Sequence, residues 1–335
     1  RKDLVISRMG ATKIKDLPLI NGAVVNIGTA SMSALEQDPD VLSIQPDGEV
    51  HIVAQTLSWG VARINANRVW DKNGDGHVDV SANAGAGVKV AVIDTGIALT
   101  HPDLAANIKG GVNYVTPGAS PQDDNGHGTH VAGIIAAVDN TLGVIGVAPQ
   151  ASLYAVKVLD DAGVGSYSDV ISGLQWAVSN GMQVVNMSFG GPDYAPLRAA
   201  ITAASNAGIV LVAAAGNSGP GANTVGYPAK YPEVIAVAAT DSANTVASFS
   251  SRGPEVELAA PGVSILSTYF GVSYATLSGT SMASPHVAGA AALVIGSGIK
   301  DTNGDGLVND EVRAILDGTA HDLGAAGRDT AYGYN

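Results

Sequence analysis

The sequence has no cysteine, so neither a disulfide framework nor thiol chemistry can define this protein. Aromatic residues make up only 5% of it and charged residues only 14%. Basic residues are the scarcer sign: 17 Lys and Arg stand against 30 Asp and Glu, a formal net charge of −13. That balance argues against nucleic acid or an anionic membrane surface as a partner. No apolar run approaches the roughly 18 residues that span a bilayer. The chain opens at Arg1 without a signal-like stretch, so any targeting segment is expected to have been removed or to lie outside this sequence. With so few charges, most of the acidic excess reads as solvated surface. Two short acidic runs are exceptions.

Glycine is abundant, with 42 copies in 335 residues, and the apolar content is largely Ala and Val. Apolar runs VKVAVID (88–94), SLYAVKVLD (152–160), MQVVNMS (182–188), GIVLVAAAGN (208–217) and EVIAVAAT (233–240) are continuous rather than alternating. That is the pattern of strands buried on both faces. Helix-like stretches lie between them, at 130–138, 168–180 and 196–208. The alternation predicts an α/β fold, a doubly wound and mainly parallel sheet with helices on both faces. In such sheets functional groups collect at the carboxyl ends of the strands, where Asp94, Ser188 and Asn217 fall. Residues 1–53 read differently, as a small α+β unit. A helix over 31–38 is flanked by strand-like 23–27 and 41–53, and a second domain is expected over 54–335.

Three short blocks carry chemistry. Ser281 follows the turn residues Gly279 and Thr280 and opens an Ala-rich helix with Pro285 expected in its first turn. A serine there can be a simple helix cap, or a nucleophile beside free backbone N–H groups. His127 lies in the Gly-rich run DDNGHGTHVAG (123–133), three residues before His130. The two histidines could pair on zinc, but the nearby Glu of a zinc helix and a clear third ligand are missing. Asp94 ends a buried strand, where a carboxylate needs a donor such as an imidazole N–H. The DTG at 94–96 also occurs in aspartic proteases, which need two such motifs for a carboxylate dyad; only one occurs here.

The acidic runs DKNGDGHVD (71–79) and DTNGDGLVNDE (301–311) resemble EF-hand loops, with oxygen side chains at alternate positions and a glycine at the sixth. The predicted calcium ligands are Asp71, Asn73, Asp75, His77 and Asp79 in one. In the other they are Asp301, Asn303, Asp305, Leu307 and Asp310, with Asn309 and Glu311 beside them. Both lack the bidentate Glu at position 12, which is Ala82 in one and Val312 in the other.

AVIDTGI (91–97), NGHGTHVAG (125–133) and GTSMASPHVAG (279–289) together resemble the signature blocks of the subtilisin family of serine proteases, in order and properly spaced. The likeness runs from about Gln55 to Gly333. The chain order Asp, His, Ser is that family's own. The resemblance implies that Ser281 attacks the scissile carbonyl, His127 moves the proton, Asp94 holds the imidazole, and Asn217 completes an oxyanion hole. It implies substrate strands along Gly163, Val164 and Gly165 and along Ser188, Phe189 and Gly190. It further implies a roomy apolar pocket lined by Ser188–Gly191, Ala214, Ala215 and Gly226, favouring large apolar or aromatic side chains. A further calcium site is implied by the loop 138–144, from Asn140, the carbonyls of Val138, Leu142 and Val144, and the side chains of Gln55 and Asp103. Residues 1–53 resemble a propeptide acting as chaperone and inhibitor, cleaved at Val53–Ala54, with a further strand expected before Arg1 and a helix after Asn335. The whole would be a secreted, monomeric, calcium-stabilised endopeptidase acting on polypeptides at neutral to alkaline pH. A non-enzymatic calcium-binding scaffold is the alternative.

Overall fold

The computed structural model describes residues 2–46 and 55–334 and divides into two units, Arg1–Ile52 and Val53–Asn335. The first holds α1 (Lys2–Arg8), β1 (Thr12–Leu17), β2 (Gly22–Asn26) and α2 (Thr29–Glu36), with β1 and β2 antiparallel. Its core is thin. Among its described residues only Val5 and Leu35 are buried apolar side chains, while Leu4, Leu19, Ile20 and Leu42 are exposed. Buried Asp38 is paired with Arg8. The strand expected over 41–53 does not form over residues 41–46, and the rest of it, with the expected cleavage point, lies outside the described residues.

The second unit begins with β3 (Thr56–Leu57), α3 (Trp59–Arg63) and α4 (Asn67–Trp70). The α/β body follows as β4 (Lys89–Asp94), β5 (Ile108–Asn113), α5 (His127–Ala136), β6 (Val144–Ile145), β7 (Ser152–Lys157) and α6 (Tyr167–Ser179). It continues through β8 (Val184–Met187), α7 (Ala195–Asn206), β9 (Val210–Ala214), β10 (Val234–Thr240) and β11 (Val256–Pro261). A hairpin, β12 (Ile265–Tyr269) and β13 (Ser273–Leu277), leads into α8 (Thr280–Gly296), and α9 (Asn309–Thr319) comes last. Seven strands form one sheet in the order β11-β10-β9-β8-β4-β7-β5, every pairing in it parallel.

The continuous apolar runs have a direct cause in β4. Val90 and Val92 pack in one core with Val131 and Ile135 of α5 and Ala288 and Ala291 of α8. Ala91 and Ile93 face the other core, with Val170 and Leu174 of α6 and Leu197 and Ile201 of α7. A strand covered on both sides has no polar face to show. The fold is therefore α/β and doubly wound. Its strand order departs from β4 in both directions, toward β7 and toward β8. A crevice opens at the carboxyl ends on either side of such a switch point.

Candidate active site

Asp94 is the last residue of β4 and fully buried. Its Oδ1 accepts from the Thr95 N–H at 2.8 Å and from Nδ1 of His127 at 2.8 Å. His127 is the first residue of α5, reached through Gly126 at φ 109°, a left-handed turn that favours glycine. Close approach explains the glycines of both motifs. A Cβ at Gly128 would lie 2.2 Å from the Gly96 carbonyl and 3.2 Å from Asp94 Oδ1. Burial alone would lower the His127 pKa. The Asp94 charge and hydrogen bond and the Asp123 charge together outweigh it, so the imidazole titrates above its ordinary value.

His130 does not join His127. Its Nε2 bonds the carbonyls of Ile265 and Ala275, a role inside the fold.

Ser281 is the second residue of α8, and the cap position belongs to Gly279. The simple helix-cap reading of this serine is thereby excluded. Pro285 stands in the second turn of the helix rather than the first, and this has a consequence for Ser281. Proline has no N–H, so the Ser281 carbonyl lacks its i+4 helical donor. The Ser188 hydroxyl supplies one instead at 3.0 Å, and Asn186 Nδ2 in turn donates to Ser188 Oγ at 2.9 Å. The Ser281 hydroxyl donates to the Ser188 carbonyl at 3.1 Å and makes no bond to His127 in this structure.

Asn217 lies just past β9. Its Oδ1 accepts from the N–H and the hydroxyl of Thr280, each at 3.0 Å. That fixes which end of the amide is a donor toward the cleft. Nδ2 of Asn217 and the N–H of Ser281 lie 3.5 and 3.6 Å from the place where a Cβ on Gly279 would sit. Two donors therefore border one small space in front of Ser281.

The predicted substrate segments are partly explained by packing. A Cβ at Gly165 would stand 2.2 Å from the Val158 carbonyl, so this glycine is demanded by its own chain and not by an approaching substrate. Gly163 has φ 74° and an open flank, and Val164 is exposed. On the facing segment, Phe189 is half-buried, Gly190 borders the Tyr227 carbonyl, and a Cβ at Gly191 would meet the Tyr167 hydroxyl at 2.7 Å. Ala214 and Ala215 are buried, and nothing lies within 4 Å of a Cβ on Gly226, consistent in shape with an open pocket floor. A separate groove of about 840 Å³, bordered by Trp59, Arg63, Pro261, His321 and Tyr332, includes none of Asp94, His127 or Ser281.

The predicted calcium ligands fall in three places. Asp71 accepts from the N–H groups of Gly74, Asp75 and Gly76, while Asn73 and Asp75 accept from Asp75 and His77. Asp79 accepts from the Lys72 N–H, and the His77 ring leaves the loop to pair with Asp139 at 2.8 Å. The second loop repeats the pattern: Asp301 accepts from Gly304 and Gly306, Asn303 from Asp305, and Asp305 from Leu307. Asn303 Nδ2 also donates to Asp310 at 2.6 Å, and Asn309 turns away to the Ser205 carbonyl. In the third, Gln55 Nε2 donates to the carbonyls of Val138 and Val144, and Asn140 Nδ2 to buried Asp103. Leu142 N–H bonds Asn140 Oδ1. Among the described residues, no three His, Asp or Glu side chains gather in a form that could hold a metal ion.

Sequence reading missed three buried polar groups around the site. Asp123, Thr95 and Lys157 are each almost fully buried, and the Lys157 ammonium bonds the carbonyls of Thr95 and Leu159 and the carboxylate of Asp124. Asp123 lay within a recognised block, but nothing in the run of residues separates it from its neighbour Asp124.

An aspartate at a parallel strand end bonded to a histidine at a helix start, with a serine at the start of a second helix, offers the groups a serine hydrolase uses. Residues 85–335 match the subtilase family (peptidase S8). Subtilisin E of Bacillus subtilis (strain 168) is 46% identical over 328 residues, covering 97% of this chain and 82% of that protein. An alkaline protease of Shouchella clausii is 48% identical over 302 residues, covering 90% and 74%. Subtilisin DY of Bacillus licheniformis is 51% identical over 274 residues, covering 81% and 94%. The chain belongs to the subtilase family and is a serine endopeptidase.

Proposed function

We propose that this enzyme cleaves polypeptides with Ser281 as nucleophile, His127 as general base and then acid, and Asp94 as the residue that holds the imidazole tautomer. The observation that carries the reading is the 2.8 Å bond from His127 Nδ1 to the buried Asp94, which leaves Nε2 free to take a proton. The Ser281 hydroxyl would turn from the Ser188 carbonyl to His127 as substrate enters. Its Oγ then attacks the carbonyl carbon, and the oxyanion forms between the Ser281 N–H and Asn217 Nδ2. Return of the proton from Nε2 to the leaving amine ends acylation, and water repeats the sequence to release the acid.

Peptide backbone would pair with 163–165 and 188–190 by strand addition, placing a large apolar or aromatic side chain toward Gly226. The expected fluorophosphonate result is one adduct, on Ser281. Absence of labelling after removal of residues 1–53 would favour the inactive scaffold.

The N-terminal unit is read as a propeptide, inhibitor and folding aid, and export from the cell goes with that reading. Its thin core and exposed apolar side chains suit a segment that is not built to stand alone. Calcium is read as a structural ligand of the loops 71–79, 301–311 and 138–144. The fit is best at the last, where the side-chain amides of Gln55 and Asn140 link the carbonyls of Val138 and Val144 and the buried carboxylate of Asp103 in one loop, a set whose oxygens are hard ligands. Burial holds that carboxyl above its ordinary range, opposed by bonds from Val144, Asn140 and Tyr274. A bound divalent cation would supply charge neutralisation there and cross-link the loop to the body. Intact mass and thermal inactivation with calcium and with excess chelator test both readings. Cleavage near residue 53 and faster inactivation in chelator are expected; an uncut chain or an unchanged rate would remove the corresponding one.

A further inference from the structure

Asp94 and His127 sit on elements 33 positions apart in sequence, and their hydrogen bond needs sub-ångström register. A network of hydrogen bonds joins the two elements close to that pair. Asp123, 1% exposed, accepts five hydrogen bonds. Oδ1 takes the Thr95 hydroxyl at 2.9 Å and the N–H groups of Asn125 and Gly126 at 3.0 Å each. Oδ2 takes the N–H and the hydroxyl of Thr129. The Thr95 hydroxyl, having donated to Asp123, accepts the N–H of Gly128 at 2.9 Å. Thr95 follows Asp94 directly, and Gly126 and Gly128 flank His127. One buried carboxylate and one hydroxyl thus join the end of β4 to both neighbours of the histidine.

We infer that Asp123, acting through the Thr95 hydroxyl, is a positioning residue that keeps Asp94 and His127 in register for proton transfer. The inference rests on the triad reading above. The plainer account is that Asp123 only caps the start of α5, since three of its five donors are backbone N–H groups of that turn. The Thr95 link separates the two accounts, because a cap has no need of a cross-link to β4. Lys157 Nζ holds the Thr95 carbonyl at 2.7 Å, so the residue is gripped at both its oxygens. The ionisable groups acting on His127 are Asp94 on β4 and Asp123 ahead of α5, with His130 on α5 itself, while Lys157 on β7 pairs with Asp124.

The test compares Thr95→Val, Thr95→Ser and Asp123→Asn in the full chain, after processing, on one peptide substrate. Active sites are counted with a fluorophosphonate. Thr95→Val keeps shape and removes both bonds of the hydroxyl, to Asp123 and from the Gly128 N–H. Its kcat per active site is expected to fall by on the order of 10- to 100-fold with KM nearly unchanged, as for a misplaced catalytic group. Thr95→Ser restores the hydroxyl and most of the rate. Asp123→Asn is expected to lose rate and to move the acid limb of kcat/KM to lower pH, because the carboxylate charge near the imidazole is gone. Should Asp123→Asn not fold, the threonine pair still decides. Thr95→Val with wild-type kcat per active site, or equal losses in Val and Ser, would overturn the inference. A wild-type enzyme that fails to react with the fluorophosphonate would instead overturn the triad reading beneath it.

Discussion

Asn217 and Thr280 are joined twice: the amide oxygen of Asn217 accepts both the backbone N–H and the hydroxyl of Thr280. The same hydroxyl accepts the Gly216 N–H at 3.1 Å. The side chain therefore cannot flip without losing two bonds, and its NH₂ is held as the donor beside Ser281. Preorganisation of this kind adds no reorganisation cost when charge develops.

Thr280→Val should loosen that hold while sparing the backbone bond. The hydroxyl's bond to Asn217, about 1 kcal/mol, corresponds to a fall in kcat of about 5- to 10-fold with little change in KM, while losing the acceptor of the Gly216 N–H should lower stability as well. Steady-state kinetics on an oligopeptide amide would check it, and an equal change in KM would contradict it.

Gly279→Ala should separate space from backbone strain. Gly279 has φ 161°, an extended conformation open to any residue, and a methyl there would make only contacts of 3.5 Å and longer. Folding should survive. The methyl would fill the space between Asn217 Nδ2 and the Ser281 N–H, so kcat/KM should drop roughly 100-fold or more. That scale comes from removing one oxyanion donor in a subtilisin. A fully active variant with unchanged melting temperature would place the oxyanion elsewhere.

Acid should destabilise the protein through two buried histidines other than His127. His130 and His286 are fully buried, and burial pushes each down to about 4. Each keeps one ring nitrogen without a partner, Nδ1 of His130 and Nε2 of His286, so neither has an acceptor for a second proton. Their folded values lie below the unfolded value near 6.5, so the unfolded chain binds more protons between the two. Stability is then fully present above pH 6.5 and falls by about 3 kcal/mol per histidine as pH drops toward 4. Denaturant midpoints measured across pH 7 to 4 should fall, and a flat profile would refute the assignment.

Alkaline stability should respond to Asp317. Its carboxyl is raised to about 7, by burial first and then by the charge of Glu257, against the opposing Arg313 and Arg328. The folded value exceeds the unfolded one, so the contribution is present below about pH 4 and is lost as pH rises through 7. Asp317→Asn imitates the protonated acid. It should leave stability unchanged at pH 4 and raise it at pH 9 by about 1–2 kcal/mol, allowing for solvent screening of a partly exposed group. Thermal unfolding at the two pH values decides; an equal gain at both would mean the charge is not the cause.

Much of this was legible in the residues. Val90, Ala91, Val92 and Ile93 allow no polar face, so β4 had to lie inside a sheet covered on both sides. Asp94 at the end of such a strand needs a partner in any fold, and the blocks around His127 and Ser281 supplied one in the order the family uses. The short-range glycine requirements were less legible. Gly165 falls on a segment expected to pair with substrate, yet the neighbour that demands a glycine there is the Val158 carbonyl, fixed only when β7 and the following loop fold back. The segment 41–46 has strand-like composition but forms no strand, because composition does not supply a pairing edge.

The sequence by itself determined the chemical groups and the elements that carry them, because burial pattern and helix starts are local properties. Tertiary structure alone decided how those groups are held. Pro285 frees the Ser281 carbonyl, but only the packing of β8 beside α8 brings the Ser188 hydroxyl to take it. Asp123 and Asp124 are chemically alike and adjacent. One is buried beneath Thr95 and Thr129 and the other pairs with Lys157, because the parallel register of β4 and β7 sets Asp94 opposite Lys157. Hydrogen bonds between such distant residues depend on distances that exist only after the sheet has formed.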